Sequence, residues 1–376
     1  MSNSLTISQA SSTKDILSLL SMLNSVYRPT AAPHQGMALE FPHLFAQGNA
    51  KNLYYAAIDG QVVSMIGVYP QVLAIEGIEL PVASIGCVAT LPSFEKRGIA
   101  TKILNQVFDD LTKQDFPLAL ISGERGLYRR LDAVPVGSMY EVTFTADDLR
   151  PVIHDLKGIA ASDVEEIGAP QRSQWASALA PIYWRQPNRF RRTVQHMATL
   201  LESLWFARSG YDQRLFVLSD CNQVTGYVVA YRSLHSSSPV TITEWGGNSL
   251  TVLASLPQIL DAFGSNAILV NFHSQDQVLA FLITSHGVKM ATTPLQGTVR
   301  VLSLKSLLAR THPLIEERYG RRGLYLSQDQ TQMWTGVNPL GDAISLSQAD
   351  IPGYLFNVPP HGLGLPFPWT HDLNYI

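Results

Sequence analysis

The chain holds only two cysteines, Cys87 and Cys221, in 376 residues. Two thiols exclude the disulfide framework of small secreted domains and point to a reducing, cytoplasmic setting. Charge is scarce as well. Charged residues make up 15% against 46% apolar, where about a quarter is usual. That deficit excludes a disordered chain and implies large buried surfaces. Neither sign dominates: 27 basic and 30 acidic side chains leave a formal net charge of −3, with no electrostatic case for a nucleic acid partner. No apolar run reaches the ~18 residues of a bilayer span, so no membrane partner is expected. Residues 1–14 lack a basic stretch followed by an apolar core, which argues against a signal peptide. The ten histidines are scattered, without metal-ligand spacing, so no metal is expected. Neither a G-x-S-x-G elbow nor a short repeat nor a low-complexity tract is visible.

At this length two or three domains are expected. The most informative stretch is a basic, glycine-containing turn, Glu95-Lys96-Arg97-Gly98-Ile99-Ala100-Thr101. It follows an expected strand, Ser84 to Thr90, and opens an amphipathic helix. That helix sets Ile99, Ile103, Leu104, Val107, Phe108 and Leu111 on one face and Lys102, Asn105, Asp109 and Asp110 on the other. Backbone N–H groups at such a helix start suit a pyrophosphate, although an ordinary strand-to-helix turn reads the same way. An apolar strand, Leu118 to Ser122, comes next. Upstream, a helix from Lys14 to Val26 precedes runs at Leu53 to Ile58, Val62 to Val68, Val72 to Ile75 and Ile78 to Ser84. The breaks Asp59-Gly60 and Glu76-Gly77 are hairpin signals.

A strand from Met139 to Thr145 is expected to close this first unit, and Asp147 to Pro170, with Pro151, Gly158 and Gly168, reads as a linker with a helical piece. The same order then recurs. Helical material carries Trp175, Leu179 and Tyr183, then Met197, Leu200 and Leu204; strands follow at Leu215 to Leu218, Gly226 to Arg232 and Val240 to Trp245. A helix from Thr251 to Phe263, a strand from Ala267 to Phe272, a helix from Gln275 to Ser285 and a closing strand at Lys289 to Thr293 complete it. Its loop, Gly246-Gly247-Asn248-Ser249, lacks the basic pair and the G-x-A spacing. From Thr298 a strand-to-helix pattern leads to a tail rich in glycine and proline, including Pro352, which is expected to be extended.

The loop Glu95 to Ala100 resembles the acetyl-coenzyme A loop of the GCN5-related N-acetyltransferases (GNAT), which reads Q/R-x-x-G-x-G/A. Gly98 and Ala100 match, while Glu95 stands where Gln or Arg is usual. The resemblance implies acetyl-CoA as acyl donor. Val88, Ala89 and Thr90 would hydrogen-bond the thioester and pantetheine arm, and backbone N–H groups of Lys96, Arg97, Gly98, Ile99, Ala100 and Thr101 would take the pyrophosphate. Downstream, Ser122, Tyr128 and Arg130 match the Ser followed by Tyr-x-Arg of the enhanced-intracellular-survival (Eis-like) acetyltransferases, with Asp132 at that family's glycine. That family implies Tyr128 as the acid that protonates the thiolate.

It also implies an architecture: an α+β fold of tandem GNAT-like domains, mostly antiparallel sheets flanked by helices, plus a small C-terminal α/β segment resembling a truncated sterol-carrier-like domain. Mapped onto this chain, the parts are an active domain at 1–148, a degenerate one at 149–297, and a C-terminal segment at 298–376 whose tail returns to the active site. The Ile376 carboxylate then serves as base, with His371 and Asp372 as alternatives. The apolar, aromatic ending His361 to Ile376 fits, since free termini are usually polar. Phe41, Phe45, Tyr54 and Tyr55 suggest a largely apolar acceptor cleft. The expected activity is direct acetyl transfer to a small or amphipathic amine. Alternatives are an aminoacyl or longer-chain acyl transferase, and a non-catalytic acyl-CoA or metabolite-binding protein. A homo-oligomer is left open. The basic stretch Trp184 to Arg192 reads as a solvated connection or a grip for an acidic group.

Overall fold

The computed structural model describes residues 4–30, 32, 35–156, 163–203, 210–320, 323–370 and 372–376. Gly158, Leu204 and His371 lie outside the described residues, as do the first three of the chain.

The first unit runs β1 (Leu5–Gln9), α1 (Thr13–Tyr27), α2 (Met37–Glu40), β2 (Leu53–Ile58), β3 (Gln61–Ile75), β4 (Ile78–Thr90), α3 (Ile99–Lys113), β5 (Leu118–Ile121) and α4 (Gly126–Arg129). A capping box starts α1: the Ser12 hydroxyl accepts from the Asp15 N–H at 3.2 Å, and the Asp15 carboxylate accepts from the Ser12 N–H at 2.9 Å. Both hairpins turn where the sequence says they should. Asp59 and Gly60, like Glu76 and Gly77, have positive φ at both central positions, the requirement of the two-residue turn that matches strand twist. The four expected runs between Val62 and Thr90 are two long strands, β3 and β4, whose pairing runs on through Pro70, opposite Ala83, and Pro81, opposite Val72.

A second series follows: β6 (Met139–Thr145), α5 (Ala146–Asp155), β7 (Asp163–Ile167), α6 (Ala176–Trp184), β8 (Asn188–Phe190), α7 (Val194–Glu202), β9 (Tyr211–Asp220), β10 (Gln223–Ser233), β11 (Val240–Gly247), α8 (Ser249–Phe263), β12 (Ala267–His273), α9 (Gln277–Ser285) and β13 (Ala291–Thr293). The last part comprises β14 (Thr298–Val301), α10 (Leu304–Tyr319), β15 (Tyr325–Gln328), β16 (Trp334–Val337), β17 (Ala343–Leu346) and α11 (Asp350–Phe356). Pro352 therefore sits in the first turn of a helix, where its missing N–H costs nothing, not in an extended tail.

Two seven-stranded sheets and a small three-stranded one result. The first is ordered β1-β2-β3-β4-β5-β14 with β8 on β3; the second, β13-β6-β12-β11-β10-β9-β7. Each contains one parallel pair, β4–β5 and β11–β12, joined through a helix. The closing strands are exchanged. β6, expected to finish the first unit, pairs with β12 of the second, and β14 returns to pair with β5. The region read as a linker is also structured, as α5 and β7. Alternation along β5 shows how the first sheet is covered. Ala119 and Ile121 join the α3 face, whereas Leu118 and Leu120 face a core built with α10 and α11. Beside that core, α1 packs Leu19 and Leu23 against Leu53 and Met65.

Candidate active site

The first sheet opens in its middle. On β4, Gly86 to Ala89 oppose only Gly67 to Met65 of β3, so one extra residue bulges out, with Cys87 at φ 51°. The parallel β4–β5 ladder ends at Ile85 and Ile121, beyond which the two strands part. The bulge and the parting leave a cavity of about 220 Å³. Val88 and Cys87 line it from β4, Ser122, Gly123, Arg125 and Tyr128 from the segment after β5, and Tyr27, Arg28, Met37 and Phe41 from α1 and the chain beyond it. Tyr375 and Ile376, the last two residues, complete the wall.

Gly86 admits that terminus. A Cβ there would fall 2.2 Å from the Ile376 backbone oxygen and 2.4 Å from its carbon, inside any permitted contact. Ile376 is 4% exposed. Across the cavity, Tyr128 is 2% exposed and sits in α4. Its N–H donates to the Arg125 carbonyl at 2.9 Å, and its own carbonyl accepts from the Leu131 and Ala133 N–H groups at 2.9 and 3.1 Å. Burial pushes the Tyr128 hydroxyl up to about 12, with the Arg125 guanidinium pulling the other way. The phenol is thus protonated at neutral pH, as a proton donor must be. Cys87, by contrast, is an inert thiol, driven upward by burial.

Three interactions in this wall escaped the sequence reading. The Tyr27 hydroxyl donates to the Val88 carbonyl at 2.6 Å, and Arg125 Nη2 donates to the Tyr27 oxygen at 3.4 Å. Arg28 donates to both oxygens of Glu40, at 2.6 and 2.8 Å. None of the three shows a sequence spacing that would have revealed it. Of the aromatics named for the acceptor cleft, Phe41 lines the cavity. Phe45 packs in the core under α1, and Tyr54 turns to α3, donating to Asp110 at 3.3 Å.

Val88, Tyr128 and Ile376 therefore meet in one cavity, whereas Ala89 and Thr90 turn toward β3. The Ala89 carbonyl accepts from the Ser64 hydroxyl at 2.9 Å, and the Thr90 hydroxyl lies 2.9 Å from the same group. The loop stands at the far end of β4. Lys96 has φ 59°, and Gly98 caps α3 in the left-handed conformation (φ 73°, ψ 10°) without any side-chain cap. The first-turn N–H groups of Ile99, Ala100 and Thr101 are thus left to a ligand or water. Ile99 gives its side chain to the core, so only its backbone is on offer. Lys96 and Arg97 are exposed, but Arg97 is tied back, donating to the Ser93 carbonyl at 2.8 Å and lying 4.9 Å from the Phe94 ring centre.

Among the described residues, the corresponding gap of the second unit is bridged. Trp245 on β11 reaches over the gap beside the short parallel pairing and donates to the Asn271 carbonyl of β12 at 3.3 Å. Helix α8 is capped by its own Asn248, which accepts from the Leu250 N–H at 2.9 Å, so its N-terminus is already served. The basic stretch before α7 is solvated only in part: Arg191 pairs with Glu79 at 2.9 Å, while Arg192 is buried against Glu244. Asp372 belongs to that same buried cluster, away from the cavity wall.

Residues 9–135 match the model of the acetyltransferase (GNAT) domain family. No curated protein matches the chain in sequence. Among solved structures it is similar to a GCN5-related N-acetyltransferase from Anabaena variabilis, with a TM-score of 0.61 at 14% identity over 92% of this chain and 85% of that one. It is similar also to Eis1 from Mycobacterium abscessus, with a TM-score of 0.56 at 16% identity over 91% and 83%. A GCN5-related N-acetyltransferase from Kribbella flavida gives 0.58 at 15% over 82% and 74%. These likenesses show the fold. The chain thus carries a GNAT domain at residues 9–135, and its α/β architecture is shared along nearly its whole length with GNAT proteins.

Proposed function

We propose that this chain is an acetyl-CoA-dependent N-acetyltransferase acting on a small or amphipathic amine by direct transfer within a ternary complex. One observation carries the reading. In a GNAT domain, a buried protonated tyrosine, Tyr128, and the terminal residue Ile376 line the same cavity at a bulge in the central sheet. The donor's pyrophosphate would rest on the N–H groups that open α3, with Gly98 giving the backbone close approach. The arm would follow the free edge of β4 at Val88, beyond the end of its pairing with β5.

The roles of the residues follow from proton balance. The Ile376 carboxylate accepts a proton from the amine, whose lone pair attacks the thioester carbonyl carbon. The new C–N bond forms and the C–S bond breaks. The Tyr128 hydroxyl gives its proton to the departing sulfur, and the proton held by the carboxylate returns to the tyrosinate through water. No net proton is gained or lost by the protein. The third segment, with one long helix and a three-stranded sheet, serves to bring the terminus home; a sterol-carrier ancestry rests on the sequence resemblance. A cytoplasmic location fits the two free thiols. Among the described residues no helix is long and apolar enough to cross a membrane.

Thiol release from acetyl-, propionyl- and myristoyl-CoA, followed across a panel of amines, tests the reading. Turnover that needs both an amine and acetyl-CoA, and that is lost on adding one residue after Ile376, is expected. Binding of acyl-CoA with no turnover on any amine would favour a binding protein instead.

A further inference from the structure

The last residues of the chain are held by side chains of the second unit. Arg192, between β8 and α7, has a side chain that is 0% exposed. Its Nη1 and Nη2 donate to the two oxygens of Glu244 on β11, each at 2.7 Å. This is the parallel fork of the strongest arginine–carboxylate pairs. Tyr183 lies under the guanidinium, its ring centre 3.9 Å away, and the Tyr227 hydroxyl donates to Glu244 at 2.7 Å.

The remaining capacity of this pair goes to the tail. Arg192 Nη2 donates to Asp372 at 3.2 Å and Nε to the Asn374 side-chain oxygen at 3.1 Å. Glu244 in turn accepts from the Leu373 N–H at 3.1 Å. Inside the tail, Asp372 accepts from the Asn374 N–H and side-chain amide, both at 2.8 Å. Three consecutive residues are thereby fixed, and Ile376 reaches Gly86 two residues later. A buried ion pair is a poor device for stability, since apolar groups of equal volume commonly do as well. Its particular virtue is direction. Fixed donors and acceptors hold a polar strand of chain in one register, which an apolar contact does not.

We propose that Arg192, paired with Glu244, is a positioning residue for the C-terminal carboxylate, and that holding this terminus is what the second unit contributes to acyl transfer. The proposal rests on the reading of Ile376 as the base. It also gives the second unit, whose own opening is closed by Trp245, a use in the first unit's chemistry. A carboxylate held two residues from a rigid anchor stays within the ~1 Å tolerance on which general-base catalysis depends.

The test removes the tail's side of the anchor only. Asp372→Ala with Asn374→Ala leaves the Arg192–Glu244 pair intact and its charge balanced, so the second unit keeps its fold. Digestion with a carboxypeptidase, read by intact mass, reports the terminus without any substrate. Steady-state kinetics with acetyl-CoA and an accepted amine report the chemistry. We expect Tyr375 and Ile376 to be removed at least about tenfold faster, and kcat to fall by about tenfold or more, with the KM for acetyl-CoA within about twofold and the melting temperature little changed. A terminus as resistant as in the parent chain overturns the anchor. A labile terminus with undiminished kcat supports the anchor and overturns the reading of Ile376 as base.

Discussion

Gly86→Ala isolates the contribution proposed for the terminal carboxylate with a single methyl group. The added Cβ would lie 2.2 Å from the Ile376 backbone oxygen, against the ~3.4 Å of an ordinary contact between nonbonded atoms. Either the bulge or the terminus must move by the difference, about 1.2 Å. The bulge is held on β3 by the register on both sides of it, whereas Ile376 lies two residues beyond the side-chain hold on Asn374. The terminus therefore yields. Gly86 itself does not have positive φ, so alanine brings no backbone strain and even lowers the entropy of the unfolded chain. A displacement near 1 Å of a catalytic group costs about 100-fold in rate. The expected outcome is kcat down about 100-fold in thiol-release assays, with acetyl-CoA affinity and melting temperature close to those of the parent chain. The mechanism predicts non-additivity as well: combining Gly86→Ala with deletion of Ile376 should be no worse than the deletion alone. A fully active Gly86→Ala, or two effects that multiply, would refute the reasoning.

Tyr128→Phe removes the proposed acid and leaves the ring. It should lower kcat by about 100-fold while calorimetric binding of coenzyme A is retained. Gly98→Ala forces a side chain into the left-handed region at the opening of α3, at about 1–2 kcal/mol. It should therefore raise the KM for acetyl-CoA roughly tenfold with little change in kcat. His43 is buried with no hydrogen-bond partner on either ring nitrogen among the described residues, and burial lowers its pKa to about 3. A neutral native histidine gives stability that is complete above pH ~6.5 and is lost as pH falls toward 3, because only the unfolded chain takes up the proton. At pH 5 that loss is about 2 kcal/mol. His43→Leu should therefore gain melting temperature over the parent chain at pH 5 and gain less at pH 8. His196, lowered to about 4 by burial and then by Arg192, keeps a similar slope in both proteins.

Local chemistry made much of this fold legible. Asp59-Gly60 and Glu76-Gly77 determine their turns by backbone conformation alone, and the stripe from Ile99 to Leu111 commits α3 to one face. The apolar ending foretold a buried terminus, because Leu363 to Phe367 had to leave water somewhere. The partners of a strand are another matter. Met139 to Thr145 carries an alternation that either sheet satisfies, and only the fold of residues far downstream decides for β12. Arg192, Glu244 and Asp372 were illegible as a site for the same reason. Asp372 reads as an alternative base and Arg192 as part of a solvated connection or a grip, and the contacts that bury them join residues 52 and 180 positions apart.

The two units also explain why one cleft is open and the other shut. In the first, Gly86 leaves room for a chain terminus, and among the described residues no side chain bridges β4 to β5 beyond Ile85 in the way that Trp245 bridges β11 to β12. In the second, a Cβ on Gly246 would meet the Tyr227 ring at 2.4 Å, so that ring fills the space over β11 that the terminus takes over β4 at Gly86. The Tyr227 hydroxyl is then free to brace Glu244, and Glu244 to brace Arg192. Closing the second cleft and building the anchor are therefore connected. The aromatic that fills the space is the one that completes the ion pair holding the tail. Reopening the second cleft with Tyr227→Ala would remove that brace, so it should loosen the terminus in the first. Faster carboxypeptidase removal of Ile376 in that variant is the expected result, and unchanged resistance would separate the two functions of the ring.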